Sequence, residues 1–398
     1  MKILHSADWH LGHQLYGYDR TEEQLDFLAQ LTQLVKENQP DAFLLSGDVF
    51  HVPLPSIAAQ KMYNDAMFEL HKAAPDMQII VIAGNHDSAS RLELSRELWN
   101  YHSVHVIGEL YEQRTIDYHK FIVPVKDKGY VVAVPHVYPR NFPPVSDGSD
   151  AQAAFFRQLH EQVQALNTQH KPMVLMAHLA VQNVDLTGHK RFQDDTIGTI
   201  EYVHPDILGQ YDYVALGHIH RCQTVPHSNC TYAGSPLAVS FDENYQHSVT
   251  LVTMESGKPL EIQHLPIENP WPLLTIPEQP LPFDEAIALL QRFDDNRKAY
   301  IRLNVTTQIA LPADYNEQAA NAVHHKQCRF CTFLVNYETS LSSSNQLQGI
   351  TPLQLQDMSP REVAEKYMKT LSVPQEKMHD FLEMIDGIQQ EINEQQAQ

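Results

Sequence analysis

The side chains of this sequence best suited to chemistry are carboxylates, an asparagine and imidazoles that recur in short polar clusters, each directly after an apolar run. Asp8-Trp9-His10 follows Lys2-Ile3-Leu4-His5, Ser46-Gly47-Asp48 follows Ala42-Phe43-Leu44-Leu45, and Gly84-Asn85-His86-Asp87 follows Gln78-Ile79-Ile80-Val81-Ile82. Two more apolar runs end in His178 and in Gly217-His218-Ile219-His220. A lone Asp-x-His is an ordinary loop sequence and carries little weight. Its recurrence after successive runs carries much more. Asp8, His10, Asp48, Asn85, His178, His218 and His220 together offer mixed carboxylate, amide and imidazole donors, which suit manganese, iron or zinc better than calcium or a lone magnesium. They are too many for one tetrahedral ion and about right for two ions sharing a bridging carboxylate, the arrangement used to hydrolyse phosphate esters.

Such residues need a rigid layer to converge on. Each apolar run has strand character, and helical periodicity lies between the runs: Leu25, Leu28, Leu31, Leu34 and Val35 mark one amphipathic stretch, and Ile57 to Leu70 another. Strands over Lys171 to Met176 and Tyr211 to Leu216 bring in the last ligands. This alternation predicts an α/β fold with the polar clusters on loops leaving the strand ends, where ligands of open sheets bind. The glycine before each ligand is expected to permit a sharp turn that lifts the next side chain off the sheet edge.

Beyond Phe241 the pattern continues as β-structure through Val249 to Val252, and the proline-rich stretch Pro266 to Pro282 predicts a domain boundary. The expected organisation is a main domain over 1–265, a small α+β domain over 266–340, a Ser/Asn/Gln-rich linker over 341–350 and a helix pair over 351–398. In the tail, Ser359-Pro360-Arg361-Glu362 is a capping box, and Met378, Phe381, Leu382, Ile385, Ile388 and Ile392 form a narrow apolar seam. That seam either packs back on the main domain or docks on a partner helix.

Composition narrows the class. With 28 Lys+Arg against 49 Asp+Glu, a net charge of -21 argues against a free-standing nucleic-acid binder, because phosphates call for a basic footprint. Bound divalent cations offset part of that acid, and a partner protein with a positive surface offsets more. The 23 histidines favour a metal site without locating it. Four cysteines are too few for a disulfide framework, and no signal peptide or membrane span is evident, so a cytoplasmic protein with no membrane association is expected. Cys328-x-x-Cys331 has no second cysteine pair, so no metal is expected there.

In chain order, Asp8-x-His10, Gly47-Asp48, Gly84-Asn85-His86-Asp87, His178 and Gly217-His218-x-His220 match the motifs of the calcineurin-like metallophosphoesterases, which the sequence resembles over most of residues 1 to 240. The resemblance implies a four-layer α/β/β/α sandwich with a small α+β capping domain and a C-terminal helical tail. Gly47-Asp48-Val49-Phe50-His51 carries a histidine where phosphoprotein phosphatases of this fold usually carry a second aspartate, and so resembles the DNA-nuclease branch. That branch implies a manganese-dependent nuclease, exonuclease on double-strand ends and endonuclease on single strands and hairpins, acting in DNA repair and recombination. It further implies a coiled-coil ATPase partner and a homodimer within a heterotetramer. Residue by residue, the resemblance places one Mn2+ on Asp8, His10, Asp48 and His220 and a second on Asp48, Asn85, His178 and His218. His86 would protonate the leaving sugar oxygen and His51 would hold the scissile phosphate, while Asp87 either orients His86 or forms the turn. A phosphomonoesterase or cyclic-nucleotide phosphodiesterase of the same fold is the alternative, needing neither tail nor partner.

Overall fold

Alternation along the first strand sends its side chains into two different cores. In Lys2–Ser6, Ile3 enters one apolar cluster and Leu4 the other. The same division separates Ala42 and Leu44 from Phe43 and Leu45 in Ala42–Ser46, and Ile80 and Ile82 from Ile79 and Val81 in Gln78–Ile82. A strand buried on both faces reads as a continuous apolar run, and that is why these runs are visible in the sequence. This computed structural model describes residues 1–145, 150–188, 202–255 and 257–337, and beyond them Arg361, Ala364, Glu365, Met378, His379 and residues 381–386.

Two six-stranded sheets result. The first has the spatial order Glu261–Pro266, Ser248–Thr253, Lys2–Ser6, Ala42–Ser46, Gln78–Ile82, Val104–Ile107, with its last four strands parallel. The second runs Gln223–Thr224, Cys230–Tyr232, Tyr213–Gly217, Met173–His178, Gly129–Val134, Ile122–Val125. One core lies between the sheets, where Ile3, Leu44 and Ile82 share a cluster with Val132, Leu175 and Val214. Helices Thr21–Asn38 and Ile57–Ala73 cover the outer face of the first sheet, and Ala151–Leu166 packs Phe155, Phe156, Leu159 and Val163 on the second. This is the four-layer α/β/β/α sandwich.

Leu25 is 51% exposed, and Phe27 takes its expected place in the core beside Leu28, Leu31 and Val35. The proline-rich stretch is not a bare connection: Glu261–Pro266 and Leu273–Pro282 are strands. Leu273–Pro282 lies at the edge of a three-stranded sheet completed by Tyr300–Thr307 and Arg329–Tyr337, and an edge strand tolerates prolines that cannot donate to a ladder.

The chain divides into two compact units, one of Met1–Thr275, Phe293–Arg302 and Val323–Thr332, the other of Ile276–Arg292, Leu303–Ala322 and Phe333–Gln398. In the second, Phe333 packs against Phe283 and Tyr315, and Asn304 Nδ2 donates to the carbonyls of Pro277 and Glu278. The linker expected over 341–350, and most of the helix pair expected over 351–398, lie outside the described residues. Among the described residues no helix is long and apolar enough to cross a membrane.

Candidate metal centre

The loops that leave the strands of the first sheet are zipped together before any ligand is considered. Asp8 N–H donates to the Gly47 carbonyl at 3.0 Å, His10 N–H to Asp48 at 3.0 Å and Leu11 N–H to Val49 at 2.9 Å. The backbone is driven into the left-handed region at Asp8 (φ 53°), His10 (φ 46°), Asp48 (φ 49°) and His218 (φ 96°). Each such non-glycine residue costs on the order of 1–3 kcal/mol and persists only where its surroundings over-determine it, a pattern that clusters at functional sites. The glycines act differently from the expectation. Gly47 does adopt φ 85°, but neither Gly84 nor Gly217 is left-handed; a Cβ on Gly84 would stand 2.1 Å from Asp48 Oδ1, and one on Gly217 1.9 Å from the Ser46 carbonyl. Space, not turn geometry, requires those two.

All the expected ligands converge. Asp48 Oδ2 lies 3.8 Å from His10 Nε2 on one side and 3.5 Å from His178 Nε2 on the other. His10 Nε2 stands 3.2 Å from His220 Nε2, and Asp8 groups with these two imidazoles. On the far side, Asn85 Oδ1 is 2.9 Å from His178 Nε2 and 3.0 Å from His218 Nδ1. Asp48 therefore sits between two sets of donors, as a bridging carboxylate must. The donors also fit cations in their protonation. Burial, the largest influence on each, holds the His10, His178 and His218 imidazoles well below their usual range, so they are neutral. His178 Nδ1–H already donates to the Ser46 carbonyl at 2.8 Å, which leaves the Nε2 lone pair facing an amide oxygen. Two acceptors face to face are reconciled by a cation bound to both. Burial likewise pushes the Asp8 carboxyl up, opposed by His220 and reinforced by Asp48, a further sign of uncompensated negative charge.

Glu243 stands behind His220 without any motif to mark it. Its Oε1 accepts from His220 Nδ1 at 3.0 Å, its Oε2 accepts from Val239 N–H at 3.2 Å, and its side chain is buried. Burial would lower the His220 pKa, but Glu243, with Asp8 and Asp48, outweighs it and raises the imidazole to about 9. A carboxylate behind a ligating histidine fixes its tautomer and makes it a better donor. No local pattern marks Glu243, because it lies in a turn whose contact with His220 exists only after folding. Glu243→Gln is expected to weaken metal binding about 10–100-fold, read by titration of the metal-free protein with Mn2+; unchanged affinity would show that Glu243 only fills space.

The residues expected to act on substrate divide. His86 Nδ1–H donates to the His51 carbonyl at 2.9 Å, and His86 N–H donates to Asp48 Oδ1 at 2.9 Å. The His51 and His86 rings stack at 5.7 Å, and His10 lies 5.0 Å from His86. Asp87 departs from the orienting option. Its carboxylate accepts from Val49 N–H at 3.1 Å, Phe50 N–H at 2.9 Å and Gly84 N–H at 2.8 Å, tying the loop after Asp48 to the loop before Asn85. The His51 carbonyl, not Asp87, orients His86. His13, which no motif marks, packs its ring against His51 at 4.5 Å with the two planes tilted by 55°, and lies 3.1 Å from buried Arg20, which is paired to Glu23.

Residues 1–222 match the family profile of the calcineurin-like phosphoesterases. The chain is 34% identical to the SbcD component of the SbcCD nuclease of Rhodobacter capsulatus, over 73% of this chain and 76% of that protein. It is 32% identical to the SbcD component of the Bacillus subtilis SbcCD nuclease, over 69% of this chain and 71% of that protein. The corresponding Escherichia coli protein is 30% identical, over 69% of this chain and 70% of its own length.

Proposed function

We propose that this chain, which belongs to the calcineurin-like phosphoesterase family, is a two-metal DNA nuclease of the SbcD kind that processes DNA ends and hairpins with an SbcC-type coiled-coil ATPase. The observation that carries the reading is Asp48 Oδ2 between two donor sets, with His86 suspended from the other oxygen of the same carboxylate. Asp8, His10, Asp48 and His220 would hold one divalent ion and Asp48, Asn85, His178 and His218 the other, with Mn2+ the ion that this donor set suits. Ions held by these residues would supply charge neutralisation for a phosphodiester and a water acidic enough to attack near neutral pH. The protein side of the chemistry is proton delivery. His86, fixed through Nδ1–H on the His51 carbonyl, keeps Nε2 to protonate the leaving sugar oxygen. The His51 ring, stacked against it, would hold the scissile phosphate.

An acidic chain with a net charge of -21 leaves much of the DNA grip to its partner. A homodimer within a heterotetramer fits the exposed apolar side chains of Ile57, at 86% exposure, on the helix Ile57–Ala73, Leu94, at 84%, in the short turn Glu93–Ser95, and Tyr101, at 87%, just after the helix Arg96–Asn100. DNA repair and recombination in the cytoplasm is the corresponding cellular setting. The test is cleavage of end-labelled linear and hairpin DNA with Mn2+, with and without the ATPase. Cleavage of both, stimulated by the partner and lost with a chelator, is expected. Hydrolysis of phosphomonoesters or cyclic nucleotides without any DNA cleavage would replace the reading with that of a small-substrate enzyme of the same fold.

A further inference from the structure

A loop leaves the second sheet beside the metal donors and presents an aromatic ring outward. It starts at His136, whose N–H donates to the Ala83 carbonyl at 2.8 Å, just before Gly84 and Asn85, and whose Nδ1–H donates to the His178 carbonyl at 3.2 Å. It ends at Phe142, buried against Phe155 and Phe156, and the Tyr111 hydroxyl donates to the Asn141 carbonyl at 2.9 Å. Between these anchors the Asn141 N–H closes a turn on the Tyr138 carbonyl at 2.8 Å. The loop is thus tied at one end to the ligand-bearing segments and at the other to the core.

The side chains it holds out are exposed. Tyr138 is 53% exposed, and its hydroxyl makes no hydrogen bond among the described residues. Arg140 is exposed, with its guanidinium 5.8 Å from the Tyr138 ring centre, and has no carboxylate partner among the described residues. His136 links this pair to the centre: its ring is 4.9 Å from Tyr138, edge-on, and 6.0 Å from the ligand His178. A half-exposed aromatic face with an adjacent arginine is the pairing by which proteins hold single-stranded nucleic acid, the ring stacking on a base and the cation meeting a phosphate. Stacking tolerates any base, as an end-processing enzyme requires.

We propose that Tyr138 and Arg140 form a subsite for one unpaired nucleotide of the strand being cut, flanking the phosphodiester held at the metal centre, with its base on Tyr138 and its phosphate at Arg140. The subsite rests on the nuclease reading and adds to it where the strand leaves the centre. It also makes an unpaired base next to the cut part of what is recognised, which favours hairpin loops and frayed ends over continuous duplex.

The test compares Tyr138→Ala, Tyr138→Phe and Arg140→Ala in the full chain with Mn2+ and the ATPase, on a labelled single-stranded oligonucleotide and on methyl p-nitrophenyl phosphate, a small diester with no second nucleotide. Tyr138→Ala is expected to raise KM for the oligonucleotide about tenfold or more, and Tyr138→Phe to stay close to wild type. Arg140→Ala is expected to raise the same KM and to flatten its salt dependence. Hydrolysis of the small diester should be unchanged in all three. Wild-type KM in Tyr138→Ala overturns the subsite, as does equal loss of small-diester hydrolysis, which would make the loop a support for the metal donors. Wild-type protein that hydrolyses the small diester but not the oligonucleotide gives a different pattern, in which the nuclease reading fails first.

Discussion

Replacement of His86 by glutamine is expected to slow DNA cleavage by a factor of about 10²–10⁴ while the metal content stays at the wild-type level, because that is the usual worth of a positioned proton donor. The two consequences separate because His86 serves the site through two different groups. Its backbone N–H holds Asp48 Oδ1, and this bond survives any change of side chain. Its imidazole, anchored on the His51 carbonyl, is the part that carries a transferable proton. Glutamine can still donate to that carbonyl yet has no proton to give up near neutral pH. The choice of leaving group sharpens the measurement. A sugar alkoxide needs protonation, whereas p-nitrophenolate does not, so hydrolysis of bis(p-nitrophenyl) phosphate should fall far less than cleavage of DNA. Equal losses on both substrates, or loss of metal, would remove His86 from the proton-donor role.

Asp48→Asn is expected to abolish cleavage and to reduce the bound metal from two ions, with the opposite sign on the stability of the metal-free protein. The carboxylate lies between His10 on one side and His178 on the other, so an amide in its place supplies one oxygen and no charge to either donor set. In the absence of metal, however, Asp48 is a buried carboxylate that helps to push up the Asp8 carboxyl. Removing its charge relieves that repulsion, while an amide oxygen can still accept from His86 N–H. The metal-free variant is therefore expected to unfold in denaturant at the wild-type concentration or above it. Wild-type protein should gain about 2.7 kcal/mol for each bound ion when metal is present at a hundredfold excess over Kd, and the variant should gain much less. A variant that keeps the full gain on adding Mn2+ would show that Asp48 does not bridge.

Much of this centre could be read without coordinates, for a reason that lies in the sheet. Strands buried on both faces leave continuous apolar runs, and side chains placed directly after such runs project from the strand ends, so Asp8, Asp48, Asn85, His178 and His218 were legible from type and position together. The edge strand Leu273–Pro282 was not, because prolines there imitate a connection.

Residue types and their order along the chain set the chemistry available: which donors exist, that they follow strand ends, and that they are too many for one ion. Tertiary structure alone decided how they are used. Asp48 comes to lie between two donor sets because two loops are zipped side by side, Gly84 and Gly217 are required by the approach of segments far apart in the chain, and Asp87 locks the loops while the His51 carbonyl orients His86. Glu243 supports His220 and Tyr138 stands one ring beyond His178 for the same reason. Local sequence records what a residue can donate or accept, whereas its partner comes from elsewhere in the chain and is settled only when the layers pack.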